Sequence, residues 1–422
     1  METVSSHGAM APKTPEPKLW TRDFTLVTLA TILGAAGGIA GEFALSFFVF
    51  DETGSTLASA LVIAITLFPH TLVPLVVSPF MDRLPRKAFL VGGDLVCGLA
   101  YVALGCWLAF FEFSYVGYLV VSLLLACLEA IDELAWTSLY PEVIPLGAEQ
   151  RGYAVSSMLY TTLAVIMTPF AAVLLDTIGV PRLLMAQGGL AVAAALIESF
   201  VRVKEHEREC RDEGGISLWL SDIRESLRWL KDERGMRGLM GYQAISNGLA
   251  CGYSPILIAF FRTTPGFSAA MYAFFSVAEF AGRTLGSTIQ YKVKVPRERR
   301  FGLCLFVYLF YDVMDAILLW LPYPFMLANR AACGFLGSNS LILRESATQR
   351  YIHEHMRSRV NAFAGAYISA ACCVFSLLVG ALGEVLDYRA CVAISGVTSI
   401  VAALAFVWHR RGDVRRIFEV TT

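Results

Sequence analysis

Glu129, Asp132 and Glu133 stand at i, i+3 and i+4 inside an apolar stretch, so a helix through them carries three carboxylates on one face. Mutual repulsion and low dielectric make it costly for all three to be ionised together, so a proton can come and go there near neutral pH. A reversible proton carrier needs this property. The structural alternative is that these acids lie near the inner end of a span and pair with Arg86 or Arg151. Other charges also fall within apolar runs: Glu42, Asp94, Glu279, Arg283, Asp312, Asp315 and Arg330. A charge at the centre of a spanning helix is unfavourable by about 2.5–3.5 kcal/mol, so such residues face a cavity or a partner. Glu279 and Arg283, at i and i+4, are expected to form an internal ion pair. Asp312 and Asp315 are expected to pair with Arg283 or Arg330, and Glu42 to face either a cavity or its outer rim.

The elements that position these residues follow from the composition. Of 422 residues, 56% are apolar and only 16% charged, with 28 phenylalanines. A soluble domain carries about a quarter charged residues. Apolar runs fall near 24–50, 57–80, 89–111, 115–138, 153–175, 182–202, 238–261, 268–290, 301–320, 324–343, 360–383 and 389–409. Each is close to the ~20 residues that cross a bilayer as a helix. The expected class is an all-α membrane protein of twelve transmembrane helices in two pseudo-symmetric six-helix bundles. Net charge −1 with dispersed Lys and Arg leaves no basic surface for nucleic acid. The cysteines sit mostly in apolar runs without metal-ligand spacing, and no metal or cofactor is expected.

Lys and Arg cluster near the N-terminus (Lys13, Lys18, Arg22), after span two (Arg83, Arg86, Lys87) and after span eight (Lys292, Lys294, Arg297). They recur after span ten (Arg344, Arg350, Arg357, Arg359) and at the C-terminus (Arg410, Arg411, Arg415, Arg416). All these clusters fall on one side. The positive-inside rule then places both termini in the cytoplasm, in a bacterial inner membrane if the absence of Asn-x-Ser/Thr acceptors is followed. Residues 1–22 are polar and lack a short apolar core, so the first run is expected to remain as an anchor. The expected division is a tail over 1–22, bundles over 23–202 and 237–409, a linker over 203–236 and a tail over 410–422. In the linker, Leu220, Ile223, Leu227 and Leu230 recur at helical spacing beside Trp219 and Trp229, which predicts an amphipathic helix on the inner membrane surface.

The halves resemble each other. The offset from Arg151, opening span five, to Arg359, opening span eleven, also carries Ala154 to Ala362 and Asp176 to Glu384. Duplication of six spans is a transporter signature, because one half rocks against the other around a midplane site. No phosphate loop of the G-x-x-x-x-G-K-[ST] type occurs, so a gradient is the expected energy source.

The turn Ser78-Pro79-Phe80-Met81-Asp82-Arg83-Leu84-Pro85-Arg86-Lys87 resembles the G-x-x-x-D-R-x-G-R-R/K signature of the major facilitator superfamily. Ser78 and Pro85 stand where that signature has glycines, and Asp82, Arg83 and Arg86 keep its charges. With Pro141-Glu142 closing span four and Arg151 and Arg359 opening spans five and eleven, the chain looks most like the branch of macrolide-efflux proteins and the enterobactin exporter. Thr168-Pro169 in span five lacks the glycine of the drug-antiporter element. The resemblance implies a gate of Asp82, Arg83, Arg86, Lys87, Asp94, Glu142, Arg151 and Arg359. It also implies a cavity lined by spans one, four, seven and ten, onto which Glu129 would point as the deepest of its three acids.

The expectation is a monomeric secondary carrier whose partners are an amphipathic small molecule, protons and membrane lipids. Proton-coupled export of a drug, macrolide or siderophore is the first reading, with Glu129, Asp132, Glu133, Glu42 and Glu279 as candidates for proton or substrate. Proton-coupled uptake is the second. A membrane-embedded lipid-modifying enzyme is the third, and no H-E-x-x-H or G-x-S-x-G pattern supports it. Tyr242, Tyr253, Phe260, Met271, Tyr272 and Phe275 would either floor an amphiphile pocket or pack against helices and lipid. Gly34, Gly37, Gly38 and Gly41 in span one would permit close helix approach.

Overall fold

The computed structural model describes residues 18–81, 86–145, 148–202, 224–225, 227–292 and 295–419. Asp82 and Arg83, the side chains of Arg86 and Arg359, and linker residues 203–223 lie outside what it describes. Among the described residues the chain is helical with no strand. Helices follow the apolar runs because peptide groups in hydrocarbon must bond within their own segment.

In the first half, α1 (Arg22–Thr53) is followed by α2 (Thr56–Met81), α3 (Arg86–Phe110) and α4 (Tyr115–Val143). Thr21 opens α1 by accepting the Phe24 N–H at 3.2 Å, and Gly54 at φ 65° closes it by donating to the Phe50 carbonyl. The run Glu149–Ser199 is two helices, α5 over 149–178 and α6 over 180–199. Gly179, at φ 78° and ψ 168°, breaks them without a loop, and Pro181 follows in the first turn of α6, where its missing N–H leaves no bond unmade. The second half holds α7 (Arg234–Thr263), α8 (Ala269–Lys292), α9 (Arg297–Ile317), α10 (Tyr323–Tyr351), α11 (Glu354–Gly383) and α12 (Tyr388–Ala402).

Nine helices among the described residues are long and apolar enough to cross a membrane, with 149–199 counted once. Polar residues remove α8, with Glu279 and Arg283, and α10, with Arg330 and Arg344, from that set. The two pack on each other, with Gly282 and Gly286 of α8 against the α10 backbone. This is a multi-pass membrane protein.

Small residues set the helix crossings. A Cβ on Gly98 of α3 would lie 2.8 Å from the Gly188 carbonyl of α6, so these backbones touch. The glycines of α1 divide by face: Gly37 packs on Gln187 of α6, whereas Gly34 and Gly38 meet open space.

The expected polar C-terminal tail is instead structured. After a π-helical turn (Ala403–Trp408), Arg411–Glu419 forms α13, which buries Val414, Ile417 and Phe418. Phe418 faces Phe301 of α9 with ring centroids 6.2 Å apart, and bare Gly235 lets α13 approach α7. In the linker, Leu230 is buried against this same core with Trp229, while Leu227 is 45% exposed. The described end of the linker helix therefore anchors on protein.

Candidate functional site

Odd-to-even turns (α1–α2, α7–α8, α11–α12) lie at one end of the bundle, called the far end; the start of α1 and the end of α12 lie at the other, called the tail end. At the far end, Arg262 of α7 donates to Asp51 of α1 at 2.7 Å and sits 4.9 Å over the Phe47 ring. Glu384, just past α11, accepts from the Leu57 N–H at 2.9 Å, from Ser55 Oγ at 2.7 Å and from Thr56 Oγ1 at 3.1 Å. Tyr272 of α8 packs on Phe43 and Phe47 of α1. These contacts join the two halves and close the far end.

A cavity of about 880 Å³ lies within α1, α2, α3, α4 and α6, with Tyr160 of α5 and Ser254, Pro255 and Ile258 of α7 completing its wall. It runs from Val49, near the far end, to Leu90, Thr137 and Glu198, near the tail end. Six carboxylic acids and His70 line it, and among the described residues no Lys or Arg does. The acids are Glu42, Asp94, Glu129, Asp132, Glu133 and Glu198.

The three acids of α4 share a face yet take three different partners. Glu129 accepts a hydrogen bond from Tyr101 of α3. Glu133 lies 3.3 Å from His70 Nδ1 of α2, in the part of the cavity where its side chain is 68% exposed. Asp132 turns to α3 and meets Asp94, packing over the bare backbone of Gly93, where a Cβ would lie 3.3 Å from the Asp132 Cβ. Asp94 and Glu198 both line the tail-end part of the same cavity. Asp94 lines the cavity, while Arg83 and the side chain of Arg86, the gate charges it was expected to join, lie outside the described residues. Glu42 is among the residues that line the cavity. Trp136 completes this wall, donating to Thr31 Oγ1 at 3.3 Å and standing edge-on to Tyr160 at 6.1 Å.

In the second half, the charges satisfy one another. Arg283 donates to Glu279 at 2.6 Å within α8. Glu279 does not line the cavity. Arg330, 1% exposed, donates to Asp315 at 2.5 Å and stands 4.8 Å over the Phe275 ring. Asp312 has no such cation: it accepts from Ser399 Oγ at 2.8 Å and from Tyr242 at 3.3 Å, so hydroxyls replace the expected arginine. Tyr242 and Phe275 are buried in the core, and Tyr253 leans on Asp315 and Arg330. None of the six candidate pocket residues of α7 and α8 lines the cavity.

Of the gate residues, Asp82 and Arg83 lie outside the described residues. Lys87 donates to the Ser199 carbonyl at 2.7 Å, Glu142 is half-buried near the end of α4, and Arg151 is exposed at the start of α5.

No protein-family model and no curated protein matches the sequence. Solved structures do match the coordinates. A bacterial homologue of the human lysosomal transporter Spinster, inward-facing and unoccupied, superposes with TM-score 0.67 at 14% identity, over 94% of this chain and 98% of that one. The nucleoside transporter NupG gives 0.68 at 10% identity, over 95% and 100%. A POT family transporter with a bound peptide conjugate gives 0.69 at 10% identity, over 93% and 96%. The chain has the major facilitator fold.

Within the major facilitator fold, the cavity acids come from α1, α3, α4 and α6. Sequence reasoning missed His70, Tyr101, Gln187 and Glu198. His70 had a usable signal, a titratable ring inside an apolar run. Glu198 stood where a span end was expected, a place where charge needs no explanation.

Proposed function

We propose that this protein is a secondary active transporter of the bacterial inner membrane that exports an amphipathic, positively charged small molecule in exchange for protons. The observation that carries this reading is the cavity itself: six acids and one histidine, no Lys or Arg among the described lining residues, and an aromatic wall at Trp136 and Tyr160. A carboxylate in a low-dielectric cavity attracts an organic cation and opposes an anion. The aromatic faces suit both the cation and its apolar body. An anionic siderophore fits this lining poorly.

Coupling follows from the same groups. Glu129, held by Tyr101 at mid-cavity, binds either a proton or the substrate's cationic group, so each displaces the other. Lys and Arg bias supports a cytoplasmic tail end, which makes the present arrangement inward-facing. Alternating access then requires the Asp51–Arg262 and Glu384 contacts to break as the halves rock.

The test is transport in proteoliposomes with an imposed pH gradient, using the fluorescent lipophilic cation ethidium as probe. Expected is ethidium movement against its own gradient when protons flow the opposite way, with collapse on adding a protonophore. Movement with the proton flow would indicate uptake by symport and overturn the exporter reading.

A further inference from the structure

Glu198 is 3% exposed near the tail end of α6, and its Oε2 has no hydrogen-bond partner. Asp132 Oδ1 on α4 is likewise enclosed without a partner. Asp94 of α3 lines the same end of the cavity, next to Gly93, on whose bare backbone Asp132 packs. An ionised carboxylate has no donor, so a carboxyl-to-carboxyl hydrogen bond exists only where a proton is shared. Three acids gathered at one end of a cavity can therefore exchange a proton among themselves.

The surroundings of this cluster are known from each neighbouring helix. On α3, Lys87 lies two turns toward the tail end, where it bonds to the carbonyl of Ser199, and Cys97 lies one turn deeper. Helix α4 contributes Glu129 and Glu133, the latter facing His70 of α2. Helix α5 contributes Tyr160, with Arg151 at its tail end, and α1 presents Thr31.

Two stripes run inward from the cluster. Asp94 and Tyr101 are seven residues apart on one face of α3, and Asp132 and Glu129 are one turn apart on α4. Tyr101 donates to Glu129, so the stripes meet at the candidate coupling acid. Acids thus descend in order from Glu198 and Asp94 near the mouth, through Asp132, to Glu129 at mid-cavity. Chains of acids of this kind serve as proton relays in membrane proteins.

We propose that Asp94, Asp132 and Glu198 form the proton port of this protein, which exchanges protons between solvent at the tail end and Glu129. The inference rests on the reading of Glu129 as the coupling acid. In the loading direction, water gives a proton to the Asp94–Glu198 pair, that pair protonates Asp132, and Asp132 passes a proton to Glu129. Each step breaks one O–H bond and forms another, and each port acid ends as it began. Release toward the tail end is the reverse.

The experiment uses the full-length protein in proteoliposomes with a pH-sensitive dye, and compares wild type with Asp94→Asn, Glu198→Gln and Glu129→Gln. After a pH jump on the tail side, proton uptake in the two port variants should slow about tenfold, equivalent to about 1.4 kcal/mol of barrier. Azide, a small permeant acid, should restore their rate by carrying protons past the port. Their ethidium accumulation should be reached later, and azide should quicken it. Glu129→Gln should lose accumulation with or without azide. Wild-type proton-uptake rates in both port variants would overturn the proposal. So would slow rates that azide does not restore, or accumulation lost as completely as in Glu129→Gln, which would make the cluster the coupling site itself. If wild-type transport ignores the pH gradient, the functional reading fails on its own, and the uptake rates still judge the port. The two port substitutions lie on different helices, so misfolding of one leaves the other to decide.

Discussion

The carboxylate of Glu384 accepts the Leu57 N–H at 2.9 Å, so a side chain of the second half caps the first turn of α2 in the first half. Helix N-termini leave their first N–H groups without partners, and an acidic acceptor there also meets the positive end of the helix dipole. Ser55 and Thr56 hydroxyls add two more donors to the same oxygen. The cap therefore exists only while the far end is closed, so opening that end would cost α2 its helix cap.

Glu384→Ala should shift the population toward far-open states. Exposed caps are worth about 0.5–1 kcal/mol, the low end of the measured range, so the shift is a few-fold. Cysteine labelling at the far end should speed up by that factor. The effect should depend on pH. Burial pushes the Glu384 carboxyl up, but the Leu57 N–H and the Ser55 and Thr56 hydroxyls outweigh it and hold the carboxyl below its ordinary value. A lowered carboxyl contributes closed-state stability above its free value, and that contribution is lost as pH falls through the lowered one. Labelling of wild type should thus quicken only in acid, and Glu384→Ala should lack that response.

Glu129→Gln mimics the permanently protonated acid. It should abolish pH-driven accumulation yet leave substrate exchange between equal pools measurable, because exchange does not require the proton to leave. The pH dependence of substrate binding should flatten in this variant, and shift less in Asp132→Asn or Glu133→Gln. Coupling at the wild-type level would move the search to Glu42 and His70.

Arg330 and Asp315 form a buried pair, so removing one partner strands a charge in the bundle. Arg330→Met alone should destabilise the protein by about 3–5 kcal/mol, read as a lower Tm in detergent. Arg330→Met with Asp315→Leu should recover most of that loss. A single variant as stable as wild type would show that the pair is dispensable.

Phe418 is 2% exposed in α13 against Phe301. Phe418→Ala should cost about 3–5 kcal/mol locally, enough to undock the helix. Limited proteolysis should then cut between the π-helical turn and α13. Resistance equal to wild type would show that α13 holds without this ring.

Features confined to one helix were legible in the sequence. The twelve apolar runs predicted the helices, because in hydrocarbon a segment satisfies its peptide groups from itself. The spacing of Glu279 and Arg283 predicted their ion pair, because i and i+4 meet on any α-helix whatever surrounds it. The same periodicity put Glu129, Asp132 and Glu133 on one face. It could not assign their partners, since Tyr101, Asp94 and His70 come from α3 and α2, and which faces oppose depends on the crossings that small residues such as Gly93 and Gly98 allow. Asp312 and Asp315 show this most clearly. Three residues apart on α9, they read as equivalent, but one meets Arg330 of α10 and the other Ser399 of α12 and Tyr242 of α7. Glu198 became part of the cavity only because α6 packs on α3 and carries it to Asp94. Periodicity along the chain determines what each helix can present. Packing between helices, set by contacts far apart in sequence, decided which groups meet.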